Sequence, residues 1–174
     1  MRVFGFILAV SVSLFSTPKD FMLISNKQFT VQGSTSIGGF KCNYLVNSKD
    51  TLLIHQSNPK NSLSYTLPVR EFGCGNFVLN NDFRKTLKAK DHPDIKIDFF
   101  NLRRNHDNLV CDVQIHLVGH QKMYKNLPLK QEKNLLKGDL IMMFSDFDLT
   151  PPKKLGGMVK VNEEIKLSIA LQTH

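Results

Sequence analysis

Residues 109–119 alternate between apolar and polar side chains, and this pattern constrains the fold more than any other feature. The apolar set is Leu109, Cys111, Val113, Ile115 and Leu117, and the polar set is Asp112, Gln114 and His116. A period of two is typical of a β-strand that faces an apolar interior on one side and water on the other. Similar segments occur at 27–32, 37–46, 51–56, 63–69, 95–100, 121–130, 135–145 and 165–172. We therefore predict an all-β domain with eight or nine antiparallel strands.

Short polar or glycine-rich segments separate these strands, as expected for antiparallel neighbours. Turns are predicted at 33–36, 47–50 and 105–108, and residues 57–62 are predicted to join a hairpin of strands 51–56 and 63–69. A closed barrel removes the exposed edges of such a set. A barrel of about eight strands is either packed solid or holds one small ligand.

Residues 72–93 lack the alternation and predict one short helix between the two groups of strands. The Asn-Asn-Asp run at 80–82 contains residue types that cap helix N-termini, and the His-Pro pair at 92–93 ends the helix. Phe83 and Leu87 are four residues apart and share a helical face. This face is expected either to close one end of the barrel or simply to pack on it.

Three cysteines occur in the chain, at positions 42, 74 and 111. Cys42 lies in an early strand, and Cys74 lies between two glycines in a tight turn. Cys111 is in the middle of an apolar strand, where it is expected to be a small buried hydrophobe. We predict a Cys42–Cys74 disulfide in an oxidising compartment. A zinc site, for which no CxxC spacing is present, and a redox enzyme that uses Cys74 are the alternatives.

The N-terminus has the composition of a secretory signal peptide. Arg2 precedes an uncharged apolar run at 3–15, with small residues at its end. The run is too short to span a bilayer as a stable helix, so residues 1–16 are predicted to be cleaved and residues 17–174 to form the mature barrel domain. A buried N-terminal helix and an uncleaved anchor are the alternatives. The expected location is the periplasm or the extracellular space.

The formal net charge of +8 is compatible with nucleic acid, an anionic membrane surface or an acidic ligand as partner. The side chains that could meet an anionic membrane surface are Arg84, Lys85, Lys88, Lys153 and Lys154. An ordinary solvated basic face is the alternative. Nucleic acid is not expected as a partner, because the Phe residues alternate inward instead of lying among exposed basic residues.

Catalytic and metal-binding patterns are weak. The sequence has no GxSxG, HExxH, P-loop or GxGxxG motif. His116 and His120 would be roughly 13 Å apart on a continuous strand, although Gly119 allows a turn between them. Asp146 and Asp148 are either turn formers or a carboxylate pair for acid–base chemistry. We predict a protein that is not an enzyme, with no catalytic residue, metal or cofactor.

Three ordered motifs resemble the YceI-like family. They are GNFVLNNDFRKTLKAKDHPDIKIDF at 75–99, VGHQKMYKNLPL at 118–129 and FSDFDLTPPKKLGGMVKVNEEIKLSIAL at 144–171. The resemblance extends over roughly residues 29–171. The segment GSTSIGGFKCNY at 33–44 lacks the His of the better-known branch and is similar to a cysteine-bearing branch in exported proteins of Bacteroidetes-type bacteria.

This resemblance implies an eight-stranded antiparallel lipocalin-like barrel around an elongated apolar cavity. We expect a monomer or a homodimer. The implied ligand is a polyisoprenoid lipid or the side chain of a quinone, held for transport, storage or the response to envelope stress. The candidate lipid-binding residues are Phe29, Val31, Phe83, Leu87, Ile97, Phe99, Val113, Ile115, Leu117, Phe144, Ile165, Leu167 and Ile169. From the strand pattern alone, the same residues could fill a ligand-free structural or interaction barrel of the cell envelope.

Overall fold

A computed structural model describes residues 20–54, 63–106 and 108–174 of the chain. Its strands are β1 (Asp20–Thr35), β2 (Gly38–Ile54), β3 (Leu63–Pro68), β4 (Asp94–Asn105), β5 (Asn108–Leu117), β6 (His120–Glu132), β7 (Leu135–Met143), β8 (Lys153–Lys154) and β9 (Val159–Thr173), and its α-helix is α1 (Phe77–Thr86). Single 3₁₀ turns occur at Val69–Glu71, Phe144–Phe147 and Leu155–Gly157. The predicted signal peptide and the predicted turn at 57–62 lie outside the described residues.

Eight strands form one antiparallel path in the order β2-β1-β9-β7-β6-β5-β4-β3, and the two-residue β8 pairs with β9. The two ends of this path meet where Asn43 of β2 and Gly73, which follows β3, exchange two backbone hydrogen bonds of 2.9 Å. The barrel is therefore nearly closed. With α1 between β3 and β4, the architecture confirms the prediction of an all-β, eight-stranded antiparallel barrel with one helix between the strand groups.

The Cys42–Cys74 disulfide lies beside this pair of hydrogen bonds, as the sequence predicts. Cys111 is a free, buried thiol whose Sγ is 3.8 Å from the Leu127 carbonyl oxygen. Burial raises the pKa of Cys111 to about 12. Cys111 therefore behaves as a core residue and not as a reactive thiol.

The half of the barrel where β1 begins and β9 ends is packed solid. The Tyr65 ring contacts those of Phe29 and Phe99, with centroids 5.6 and 6.0 Å away. The fully buried Lys27 lies 5.5 Å from the centre of the Tyr65 ring. Its Nζ donates hydrogen bonds of 2.6 Å to the Ser48 carbonyl and hydroxyl oxygens and forms an ion pair with Asp50.

The prediction of a turn at 47–50 is wrong, because β2 continues through these residues as a β-bulge. The pairing with β1 moves from Ile24–Asp50 to Asn26–Asn47, which leaves one extra residue on β2. The predicted hairpin is also wrong for the described residues. Residues 51–54 pair with the start of β1, and β3 pairs with β4.

Helix α1 begins and ends earlier than predicted. Its N-cap is Asn76, whose side chain accepts a hydrogen bond of 2.9 Å from the Leu79 backbone N–H. Asn80 lies inside the helix, and its side chain accepts a hydrogen bond of 2.7 Å from the Cys74 backbone N–H. After the last helical residue, Lys88 adopts a left-handed conformation with φ 49°. This conformation ends the helix before the His-Pro pair is reached.

Candidate functional site

The half of the barrel nearest α1 contains an apolar cavity of about 350 Å³. Small-molecule sites have volumes of roughly 300 to 1,000 Å³. The cavity opens between the β1–β2 turn, helix α1 and the segment around β8, and we call this opening the mouth. The inward side chains of the strands form its walls, because successive residues of a strand point to opposite faces.

Nine of the thirteen predicted lipid-binding residues line the cavity. They are Val31, Ile97, Ile115, Leu117, Phe144, Ile165 and Leu167 from the barrel wall and Phe83 and Leu87 from the helical segment. The other four, Phe29, Phe99, Val113 and Ile169, are buried but lie outside the cavity lining. Phe29 and Phe99 belong to the packed half of the barrel. The period of two identifies the inward face of a strand but not the height of a residue along the barrel.

Further cavity residues were absent from the predicted set. They include Phe40, Leu67, Phe72, Leu79, Ile95, Met142 and Val161. Strand periodicity could have identified several of them: Phe40 is two residues from the inward Cys42, and Leu67 is two residues from the inward Tyr65. Phe72 follows a 3₁₀ turn, and its position depends on the disulfide-linked segment, so periodicity gives no signal for it.

Helix α1 closes one side of the cavity with its apolar face. Leu79, Phe83 and Thr86 all line the cavity and lie three or four residues apart, as one helical face requires. The Phe83 ring packs on Phe72, with 5.3 Å between centroids, and Phe72 packs on Tyr44 of β2 at 5.5 Å. The helix is thus held over the barrel by ring contacts that reach the barrel wall.

Among the described residues that line the cavity, the charged side chains lie at the mouth. Lys154 of β8 and Asp82 of α1 form an ion pair, with 2.6 Å between Nζ and Oδ1. Apart from the hydroxyls of Thr35 and Thr86, the other described side chains of the lining are aliphatic, aromatic or sulfur-containing. Such a surface offers shape and apolar area for a ligand, without groups for acid–base or nucleophilic chemistry.

The other candidate reactive groups have structural partners. Cys74 is buried in its disulfide, so it is not available as a nucleophilic thiol in this state. Asp146 accepts hydrogen bonds from the Tyr124 hydroxyl at 2.8 Å and the Met143 backbone N–H at 3.1 Å, and it pairs with Lys122 at 3.0 Å. Asp148 ends the 3₁₀ turn with φ 52°. The Asp146 carboxylate is therefore held by structural contacts, whereas Asp148 contributes to the turn through its backbone conformation.

The turn at Gly119 places the two histidines on neighbouring strands, where both border one surface depression. His116 Nε2 lies 3.1 Å from Asp98 Oδ2, and His120 is exposed beyond the turn at Gly119. Burial opposes ionisation of Asp98, but hydrogen bonds from Ser64 and Lys96 hold its pKa below the usual value. Within residues 20–54, 63–106 and 108–174, no cluster of three or more His, Cys, Asp or Glu side chains is arranged to hold a metal ion.

The described helix is too short and too polar to cross a membrane. An antiparallel eight-stranded barrel, filled at one end and hollow at the other, with a helix beside the opening, is a lipocalin-like barrel architecture. Comparison with solved structures makes this class more specific.

Three solved structures share the architecture over most of their length. Burkholderia cenocepacia BcnA has a TM-score of 0.56 and 15% identity, covering 84% of this chain and 94% of its own. A polyisoprenoid-binding domain from Saccharophagus degradans, implicated in plant cell wall breakdown, has a TM-score of 0.55 and 10% identity, covering 90% and 99%. The YceI protein of Campylobacter jejuni has a TM-score of 0.53 and 13% identity, covering 100% and 93%.

The chain has the YceI-like fold. At 10–15% sequence identity, the structural similarity establishes the fold but does not identify a ligand. No protein-family model matches the sequence, and no curated protein matches it significantly. The assignment to a cysteine-bearing Bacteroidetes-type branch remains a prediction.

Proposed function

We propose that this protein binds a polyisoprenoid lipid, such as the isoprenoid side chain of a quinone, in the barrel cavity. The observation that carries the proposal is the 350 Å³ apolar cavity with its charged groups confined to the mouth. The polyisoprenoid-binding domain of Saccharophagus degradans, which has the same fold, supports this class of ligand.

Apolar burial alone is sufficient to hold such a chain. At about 25 cal/mol per Å² of apolar area removed from water, each isoprene unit contributes roughly 1–2 kcal/mol. Two or three units inside the cavity therefore give useful affinity without a polar anchor. The described lining fits this kind of binding, because its charged members, Asp82 and Lys154, already pair with each other. No cofactor or metal takes part in this binding function.

We place this binding function outside the cytoplasm. The Cys42–Cys74 disulfide supports an oxidising compartment, and the N-terminal sequence supports cleavage after about residue 16. The mature domain at 17–174 would then carry or store its lipid in the aqueous space of the envelope, for respiration or for protection under stress. The alternative is a ligand-free structural or interaction barrel.

Adjacent residues of β7 provide a test of the cavity with a matched control. Met142 points into the cavity and is 5% exposed, whereas Ile141 points outward and is 48% exposed. Met142→Trp fills the cavity, and Ile141→Trp adds the same ring to the outer surface. The probe is a quinone with two isoprene units, titrated into the purified protein and followed by fluorescence or calorimetry.

We expect Met142→Trp to weaken quinone binding about tenfold or more, since two isoprene units lose their buried area. Ile141→Trp is expected to bind as the wild type does. Thermal unfolding establishes that both variants are folded. Wild-type protein that takes up neither quinone nor an apolar dye would contradict the proposal and favour the ligand-free barrel.

A further inference from the structure

The most exposed large apolar side chains surround the mouth of the cavity. Among the described residues, the five highest exposures, between 66% and 78%, belong to Ile37, Phe77, Val78, Leu155 and Met158. These residues occupy the β1–β2 turn, the first turn of α1 and the β8–β9 connection. Single exposed apolar residues are ordinary, but several around one opening mark an interaction surface.

Hydrogen bonds and an ion pair hold the three segments next to one another around this opening. Ser36, beside Ile37, donates from its backbone N–H to the Lys160 carbonyl oxygen and from its hydroxyl to the Met158 carbonyl oxygen, both at 3.0 Å. The ion pair between Lys154 and Asp82 joins the third segment, α1. We define residues 36–41, 77–88 and 153–160 as the mouth surface.

The mouth surface is strongly basic. It contains seven Lys and Arg residues, at positions 41, 84, 85, 88, 153, 154 and 160, and one acidic residue, Asp82. Its formal net charge is therefore +6, out of +8 for the whole chain. Because Asp82 already pairs with Lys154, the remaining six cations carry this charge.

We infer that the mouth surface docks on an anionic phospholipid membrane. Exposed apolar side chains can enter the boundary between headgroups and acyl chains, while lysines next to them meet the phosphates. Ile37 and Lys154 also line the cavity. Docking in this orientation would therefore place the opening against the lipid, so that an isoprenoid chain could move between bilayer and cavity with little contact with water.

Docking depends on the mouth surface alone, whereas the passage of an isoprenoid chain rests on the function proposed above. Charge complementarity distinguishes a membrane from other occupants, because an apolar ring with a net charge of +6 suits an anionic bilayer better than a second, equally basic copy of this chain.

Vesicle flotation tests the inference with the full mature protein. One set of vesicles contains phosphatidylcholine only, and the other contains about one third phosphatidylglycerol, which supplies the surface potential that attracts lysines. We expect selective binding to the second set, and a marked loss of binding when NaCl is raised from roughly 0.1 M to 0.5 M.

Two pairs of variants locate the contact. Lys153→Gln/Lys160→Gln is expected to lower vesicle binding about tenfold or more, since each lysine near an anionic surface contributes substantially. The matched control, Lys130→Gln/Lys133→Gln, removes two exposed lysines near the β6–β7 turn, at the other end of the barrel. Leu155→Ser/Met158→Ser is expected to lower binding to a similar extent. Its control is Leu45→Ser, which changes a 62% exposed residue outside the mouth surface.

Equal binding to both vesicle types, or equal losses in the mouth variants and their controls, would overturn the inference. Absence of vesicle binding would also overturn it. In that case, self-association in sedimentation that Leu155→Ser/Met158→Ser abolishes would identify a second copy of the chain as the partner of the mouth surface. Vesicle binding without quinone uptake would leave docking intact and remove the proposed function. Quinone uptake without vesicle binding would remove docking alone.

Discussion

Cys42 and Cys74 form a disulfide across the seam where the two ends of the strand path meet. Cys42 belongs to the edge strand β2, and Cys74 lies between β3 and α1. The neighbouring hydrogen bonds between Asn43 and Gly73 bring the same two segments together. The disulfide therefore stabilises the barrel closure and fixes the segment that leads into the helix beside the cavity.

Removing this disulfide should lower the free energy of unfolding substantially. The two cysteines are 32 residues apart, and cross-linking a loop of this length is worth about 3–4 kcal/mol in the chain-entropy description. Urea unfolding of Cys42→Ala/Cys74→Ala measures the effect. The control is Cys111→Ala, which deletes one buried sulfur and should cost about 1 kcal/mol. A loss in the double variant no larger than in the control would contradict the role at the seam.

The Lys154–Asp82 ion pair should control exchange of the ligand more than stability. Their side chains are 48% and 26% exposed, and ion pairs at such positions contribute at most about 1 kcal/mol. Because the pair joins β8 to α1 at the mouth, we expect Lys154→Gln to accelerate quinone release about two- to fivefold, as measured by stopped-flow fluorescence. Lys166→Gln, which breaks the Lys166–Asp139 pair on the barrel wall, should leave the release rate unchanged. Equal rates in both variants would rule out a role for the mouth pair.

The buried pair of Lys27 and Asp50 should respond asymmetrically to mutation. The Lys27 side chain is fully buried, whereas that of Asp50 is 32% exposed. Asp50→Asn leaves a buried ammonium without its counter-charge, which should lower the free energy of unfolding by about 3 kcal/mol. Lys27→Met leaves a carboxylate that water can reach and should cost less. Chemical unfolding of both variants at neutral pH compares them, and a larger loss for Lys27→Met would contradict this account.

Asp112 should make stability sensitive to acid. Hydrogen bonds from the Asn101 side chain, at 2.8 Å, and the Asn126 backbone N–H, at 2.9 Å, hold the pKa of Asp112 below its usual value. The unfolded chain therefore takes up a proton first as pH falls below about 4, and the stabilisation present above that pH is lost as pH falls through the folded pKa.

The stability difference between wild type and Asp112→Asn tests this sign. Asn cannot accept both hydrogen bonds, since one end of its amide is a donor. The difference in unfolding free energy should therefore be largest near neutral pH and should shrink toward pH 3. A difference that stays constant over this range would mean that ionisation of Asp112 does not stabilise the fold.

A strand could be predicted from the sequence where burial alone determines the alternation of apolar and polar residues. The alternation at 109–117 matches β5 because one face is in the core and the other is in solvent. The prediction of a turn at 47–50 is wrong because the composition of this segment suits a turn as well as a bulge, and the pairing with β1 decides between them. The burial of Lys27 depends on Ser48 and Asp50 in that bulge region, so it could not be recognised either.

The candidate cavity was predictable in part for a similar reason. Val31 and Phe29 share the inward face of β1, yet Val31 lines the cavity and Phe29 packs in the solid half. Their positions along the barrel depend on the stagger between strands, which hydrogen-bond register determines and local sequence does not. The helix start was missed because the sequence offers several capping residues, and Asn76 caps while Asn80 binds the Cys74 backbone.

Mass spectrometry of lipids extracted from the protein, purified from the cells that produce it, tests the central claim most directly. We expect an isoprenoid lipid in near-stoichiometric amount from wild-type protein and from Ile141→Trp, and strong depletion in Met142→Trp, because its added ring occupies the cavity. Extracts that contain no isoprenoid lipid, both as purified and after incubation with quinones, would contradict the lipid-binding account. That result would favour the alternative function, a ligand-free structural or interaction barrel.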